Sequence, residues 1–403
     1  MKTIYLIIPL GLVAMLMAAI DSHSDSTNHQ KIVLAPGIYT EGASFGDVNG
    51  DGQIDLVAGP LWWQGPDFQK KHRYRAGEAV SPKGYAHNSF QSWIMDMNGD
   101  GRADIFQVAH DGKFHLDLYL QPENPSEDWP RHRVAAKVGN ESPEMGDLTG
   151  DGKPEFIAMQ EGRFGFFTPD WENAEKPWVF HPISPKRTGS PYYHGLGFGD
   201  LNGDGKIDIL EKEGWYEAPA DPLKPGDWKF HPYSLSSKKG GAQMLVYDID
   251  GDGDQDIVTS LSAHAWGLAW FENEKRDGQI HFKKHVLIPE DKSPGVGGVS
   301  FTQSHALVTG DFNGDGLTDF ATGKRYWAHD GRDPDAKGAA VLYWYELVRD
   351  DKGARFIPHL LDSDSGAGTQ LVAADVNGDG KSDLGVGNKK GVFLFVSRKG
   401  SGE

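Results

Sequence analysis

The sequence predicts an all-β fold: a seven-bladed propeller whose N-terminal strand completes the last blade. Three observations carry this. An acidic nine-residue motif recurs seven times, at intervals of 48 to 64 residues. Each copy lies between two apolar runs and is followed by an aromatic run and then a His-containing run, so each repeat reads as four short strands. Glycine at 52 and proline at 23 of 403 residues supply the turns such strands need and interrupt long helices.

The motif, Asp-x-Asn/Asp-Gly-Asp-Gly-x-x-Asp, opens at Asp47, Asp96, Asp147, Asp200, Asp248, Asp311 and Asp375. The third copy departs from it, with Thr149 and Glu155 in place of the usual residues. In the fourth repeat Leu196-Gly197-Phe198 forms the inner strand before the loop, and Ile207 to Leu210 the second strand after it. Third strands follow at Leu61-Trp62-Trp63, Leu118-Tyr119-Leu120, Phe164 to Phe167, Trp215-Tyr216, Ala269-Trp270-Phe271, Tyr343-Trp344-Tyr345 and Phe393-Leu394-Phe395. Outer strands carry His72, His132, His181, His231, His285 and His359. No seventh outer strand follows Phe395. Its counterpart is His29 to Leu34, which closes the ring and removes exposed edges. The propeller therefore spans residues 29–397, with a tail at 398–403 and no second domain.

Asp plus Glu outnumber Lys plus Arg by 58 to 40, a net charge of −18. Phosphate neutralisation needs basic surface, so nucleic acid is excluded as a partner and bound cations become the question. The absence of Cys excludes disulfides, thiolate metal sites and a lipoprotein anchor. Lys2 followed by the apolar run Ile4 to Ile20, with Ala18 and Ala19 before Asp21, resembles a secretory signal peptide over residues 1–20. Residues 21–28 read as a linker. The expectation is a secreted or periplasmic protein, with an uncleaved anchor as the alternative and no other membrane segment.

The acidic loops read as calcium cages. Positions 1, 3, 5 and 9 offer hard oxygen side chains, and two glycines allow the sharp turn that points them inward. The ligand sets are Asp47, Asn49, Asp51 and Asp55; Asp96, Asn98, Asp100 and Asp104; Asp147, Asp151 and Glu155; Asp200, Asn202, Asp204 and Asp208. The remaining sets are Asp248, Asp250, Asp252 and Asp256; Asp311, Asn313, Asp315 and Asp319; Asp375, Asn377, Asp379 and Asp383. The fifth loop, richest in carboxylates, should bind tightest and the third weakest. These ions support folding; an alternative for any one loop is hydrogen bonds and water alone.

Six histidines are not explained by the repeat. His87, His194 and His305 precede inner strands; His110, His264 and His329 follow second strands. Both places lie at the ring end opposite the acidic loops, so these residues converge on one rim. Glu41, Glu141, Gln243 and Gln370 hold the equivalent ring position in other repeats, and Glu211, Lys212, Lys324, Arg325, Tyr326 and Asp330 lie nearby. Imidazoles and carboxylates on one rim suit a divalent metal such as Zn²⁺ and acid–base work.

Phe45-Gly46-Asp47-Val48-Asn49-Gly50-Asp51-Gly52 and Phe198 to Gly205 resemble FG-GAP/VCBS repeats, whose fold is a propeller. Gly195-Leu196-Gly197-Phe198-Gly199-Asp200 leading to Gly214-Trp215-Tyr216-Glu217-Ala218-Pro219, with His264-Ala265-Trp266-Gly267-Leu268-Ala269-Trp270-Phe271-Glu272, looks like the propeller domain of aldos-2-ulose dehydratase. That resemblance implies metal-assisted dehydration of a keto-sugar; the cupin domains of the family's fungal members have no counterpart here. On this reading Glu141, His194 and His305 share a rim metal, with His264 able to replace a member out of reach. His87 or His264 is the base and Tyr326 the acid. Lys324, Arg325 and Gln243 hold sugar oxygens, and Trp266 stacks on the ring. The alternative is a non-catalytic, calcium-stabilised propeller that binds glycan or protein. A lyase on uronate chains would want a basic groove, which the net charge disfavours.

Overall fold

The computed structural model describes residues 29–81, 89–110, 113–187, 192–236, 240–276 and 278–398. The signal segment and linker lie outside them. Strands dominate, and the helical pieces among the described residues are two short 3-10 turns, Val296–Gly298 and Ala328–Gly331.

The architecture is an all-β propeller. Five sheets have four strands each, and the fourth and fifth repeats share one eight-stranded sheet. Within that sheet the inner strands Leu196–Gly199 and Gln243–Tyr247 pair in parallel, Leu196 with Gln243 and Gly197 with Met244. Among the described residues the other strand pairings are antiparallel, and all but one join consecutive strands, as short turns require. His29–Ala35 pairs with Gly391–Ser397, placing Lys31 opposite Phe395 and Ile32 opposite Leu394. The inner strand of the last repeat, Leu371–Ala374, returns against that of the first, Ser44–Gly46.

Among the described residues the core is not one body but seven clusters, each drawn from two consecutive repeats. Phe106 and Val108 pack with Phe156 and Phe167 between the second and third. Trp270 and Val258 pack with Phe320 and Tyr345 between the fifth and sixth. Leu56 and Trp63 of the first repeat meet Val376 and Leu394 of the last. Outer-strand histidines stack on third-strand rings: His72 on Trp62, His231 on Trp215, His285 on Trp270 and His359 on Trp344, with centroids 4.0–4.2 Å apart.

The acidic loops turn through their fourth and sixth glycines, whose φ values run from +72° to +94°, a region closed to most side chains. In the fourth loop Asp200 accepts the backbone N–H groups of Gly203, Asp204 and Gly205. The ninth-position residue, expected to complete a calcium cage, also braces the backbone. Asp208 is fully buried and accepts Leu201 N–H at 3.1 Å and Ala218 N–H at 2.8 Å. Asp55, Asp104, Asp256, Asp319 and Asp383 do the same in their repeats. Burial first, then neighbouring loop carboxylates, push Asp208, Asp256 and Asp319 up to about 7. Among the described residues the fifth loop is the one that gathers three carboxylates, Asp248, Asp250 and Asp256, within 4.8 Å.

Candidate metal centre at the channel mouth

Three imidazoles from three repeats meet at the rim. His194 precedes the fourth inner strand, His264 follows the fifth second strand, and His305 lies in the sixth inner strand Ser304–Gly310. Each is buried, at 6%, 6% and 1% exposure. One nitrogen from each lies within 4.8 Å of the other two. His264 Nε2 stands 3.1 Å from His194 Nε2. Ligand bonds near 2.0–2.1 Å in a tetrahedron put donor atoms about 3.3 Å apart, so this spacing fits a shared ion. His305 Nε2 is buried with no hydrogen-bond partner. Burial, with Arg325 and the other two imidazoles, holds His305 well below the usual histidine range, so its ring is neutral and able to donate a lone pair. The donor set suits Zn²⁺ or a related divalent metal.

Carboxylates frame the imidazoles. Glu141 Oε2 is 3.4 Å from His194 Nε2 and accepts Arg325 Nη1–H at 3.0 Å. Burial opposes its charge, but His194 and Arg325 prevail and hold the carboxyl well below the usual range. Arg325 also lies 3.4 Å from Glu41. On the other flank Asp333 accepts His264 Nδ1–H at 3.1 Å and His329 Nδ1–H at 3.0 Å. Although burial opposes it, those two bonds keep Asp333 well below the carboxylate range.

The surrounding backbone is strained. Of the eight non-glycine residues with left-handed φ among the described residues, six lie here: Asn140, Gln303, Trp327, His329, Asp330 and Asp335. Such conformations cost about 1–3 kcal/mol each and persist only where surrounding contacts enforce them. Gln303 is held by Arg325 N–H on its carbonyl at 2.8 Å. At Gly240 an added Cβ would lie 2.2 Å from the His194 carbonyl oxygen, so only glycine lets the fifth repeat approach that histidine.

Several expected roles change. The metal set expected was Glu141, His194 and His305; the gathered set takes His264 in place of Glu141, whose carboxylate is engaged by Arg325. His264, expected as a base, lies instead among the three gathered imidazoles. Lys324, expected to hold sugar, is fully buried with its ammonium 2.7 Å from Asp335 Oδ2, bracing the following loop. Gln243 also serves structure: its amide donates to Thr369 O at 3.1 Å and accepts Leu307 N–H at 3.2 Å. Arg325 is 2% exposed and spent on Glu41 and Glu141. Tyr326 lies under Lys390 Nζ, 4.7 Å from the ring centroid, and Trp266 packs against the fifth-to-sixth core with Lys292 over its face. His110 lies 3.1 Å from the Tyr192 hydroxyl and is not a member of the imidazole cluster. His87 lies outside the described residues.

Two residues escaped sequence reasoning. Lys389 is 4% exposed beside Glu41 and Arg325, its ammonium held below the usual lysine range by burial. It directly follows the second strand Asp383–Asn388, at the same distance from its loop's last aspartate as His110 and Arg325 in their repeats, and that equivalence was the available signal. Asp333 lies in a stretch without counterpart in other repeats; only the long spacing of the sixth repeat hinted at it.

Inside the ring lies a cavity of about 480 Å³, lined by inner-strand residues such as Phe45, Trp93, Met145, Phe198 and Leu307. Gln243 and Gln370 cross-link inner strands at its histidine end, Gln370 through Ser92 at 2.9 Å in both directions. Glu144 opens onto the cavity, and burial pushes its carboxyl up to about 8.

Among curated proteins, none matches the chain. Among the solved structures similar to it are the following two. A structure of an Agrocybe aegerita lectin, described as recognising non-reducing terminal N-acetylglucosamine, is 16% identical, with 84% of this chain and 81% of that one covered and a TM-score of 0.46. Rhamnogalacturonan lyase YesW is 15% identical, with 92% and 76% covered and a TM-score of 0.44. The FG-GAP-like repeat family matches residues 96–158, 248–322 and 311–386, half of the chain. Its acidic loops stand between the first two strands of each sheet, and on both counts the chain belongs to the FG-GAP-like repeat family.

Proposed function

We propose that the channel mouth is a divalent-metal centre in a carbohydrate-active propeller, and that its reaction is β-elimination from a keto-sugar. One observation carries the metal centre: three buried imidazoles from three repeats converge, one with an unpartnered nitrogen. The sugar and the reaction follow from the resemblance of the 195–219 and 264–272 segments to a dehydratase propeller. The ring beneath is read as seven blades closed by His29–Ala35, since seven cores each bridge two consecutive repeats. Calcium in the acidic loops and export by residues 1–20 complete the reading.

His194, His264 and His305 would hold the ion, with Glu141 and Arg325 fixing charge beside it. When bound, such a metal polarises a carbonyl and stabilises negative charge on its oxygen. Among the described residues His329, with 42% of its side chain exposed, is the rim imidazole placed to take the proton α to the carbonyl. The β-hydroxyl then leaves with a proton as water, and the sugar becomes a conjugated enone.

The test is incubation of the zinc-loaded protein with 1,5-anhydrofructose, following enone absorbance in the ultraviolet. Turnover should appear and vanish in His305→Ala. A zinc-loaded protein that turns over neither this nor other keto-sugars is a binding module instead.

A further inference from the structure

We infer that Asp333 is a positioning residue for two histidines: through their Nδ1 atoms it aims His264 into the metal centre and seats His329 beside it. This rests on the metal-centre reading above.

A carboxylate only accepts hydrogen bonds, so a neutral imidazole facing it through Nδ1 carries its proton there. Its Nε2 is then a bare lone pair. Asp333 Oδ2 lies 3.1 Å from His264 Nδ1, and Nε2 of the same ring faces His194 at 3.1 Å. The second partner, His329 Nδ1, lies 3.2 Å from Oδ1 and 3.0 Å from Oδ2. Its ring is 4.5 Å from that of His264, so one carboxylate sets both orientations. Only 12% of the Asp333 side chain is exposed, which shields these bonds from water.

The loop that delivers Asp333 is tied down on several sides. Trp327, His329, Asp330 and Asp335 all hold left-handed backbone, with φ of 49° to 58°. Lys324 secures Asp335 from below. The Pro334 carbonyl accepts Thr302 Oγ1–H at 3.1 Å, and Lys389 reaches the Trp327 carbonyl at 3.3 Å. Partners that orient metal-bound imidazoles typically contribute 10–100-fold in metal affinity. Asparagine at this position can turn its amide N–H toward Nδ1 and force the proton onto Nε2, the wrong side for a ligand.

The experiment is competitive Co²⁺ titration of the full chain and of Asp333→Asn, with calcium held constant. The expected result is one tight ion at the rim, with affinity lowered about 10–100-fold and an altered visible spectrum in the variant. Asp333→Glu should recover part of the loss. Equal Co²⁺ affinity in the variant overturns the positioning role while leaving the metal centre standing. So does a second rim ion that depends on Asp333, since His264, His329 and Asp333 would then be its ligands. No rim ion in the unsubstituted chain overturns both. Nitrogen-15 shifts of His264 in the metal-free, unsubstituted protein give a check independent of variant folding: an Nδ1–H tautomer is expected, and an Nε2–H tautomer refutes the inference.

Discussion

Replacing Asp208 by alanine should destabilise the ring even when no calcium is present. The side chain is fully buried, and its two oxygens accept the N–H groups of Leu201 and Ala218 at 3.1 and 2.8 Å. Each buried N–H left without an acceptor costs about 1–3 kcal/mol, so the pair predicts a loss of about 2–6 kcal/mol. Asp208→Asn keeps one acceptor oxygen and should lose roughly half as much. The comparison is Asp204→Ala in the same loop, an exposed residue whose carboxylate accepts the Lys206 N–H at 3.0 Å. Thermal melting with excess chelator is the assay. Asp208→Ala should melt several degrees below the parent and Asp204→Ala within a degree or two. If both variants melt like the parent in chelator, the ninth position acts through an ion and not as a brace.

Burial lifts the Glu144 carboxyl from 4.5 to about 8, so its stabilising contribution is complete below about 4.5 and lost as pH rises through 8. Glu144→Gln should therefore match the parent at pH 4 and exceed it by a few kcal/mol at pH 9, measured by melting across pH; equal curves at pH 9 would show the group solvated. Asp250→Ala removes one of the three carboxylates gathered in the fifth loop and should reduce the calcium-induced rise in melting temperature, leaving the rim ion in place. Removing residues 29–35 strips the partner strand from Gly391–Ser397 and the Lys31–Asp362 pair at 2.9 Å, so it should lower the melting temperature of the whole ring; an unchanged melt would mean the strand is dispensable.

Strand order was legible because the repeat prints its own punctuation. Gly203 and Gly205 are needed at left-handed φ, and apolar runs flank them in every copy. One outer strand is missing from the end of the pattern, and His29–Ala35 pairs with Gly391–Ser397. The site was legible as a face but not as a set of distances. His194 and His305 share a ring position, whereas His264 follows the second strand of its repeat, and periodicity does not say how far each side chain reaches. Glu141 looked like a ligand by position; Arg325, from three repeats further round, claims it at 3.0 Å. Lys324 looked like a rim cation and is instead sealed under Asp335 by a loop that only the sixth repeat possesses. Asp333 belongs to that loop, where no repeat spacing predicts a role. The ninth aspartates carry a pattern shared by cages and braces, and their burial adds the bracing role that the pattern does not show.

The most direct test is metal analysis of the purified chain with crystallographic anomalous scattering at the zinc edge, on the parent and on His305→Ala. One zinc site per chain is expected between His194, His264 and His305, absent from the variant, with both proteins melting within a few degrees of each other in chelator. A parent without anomalous density there, or a variant that keeps the ion, would contradict that expectation.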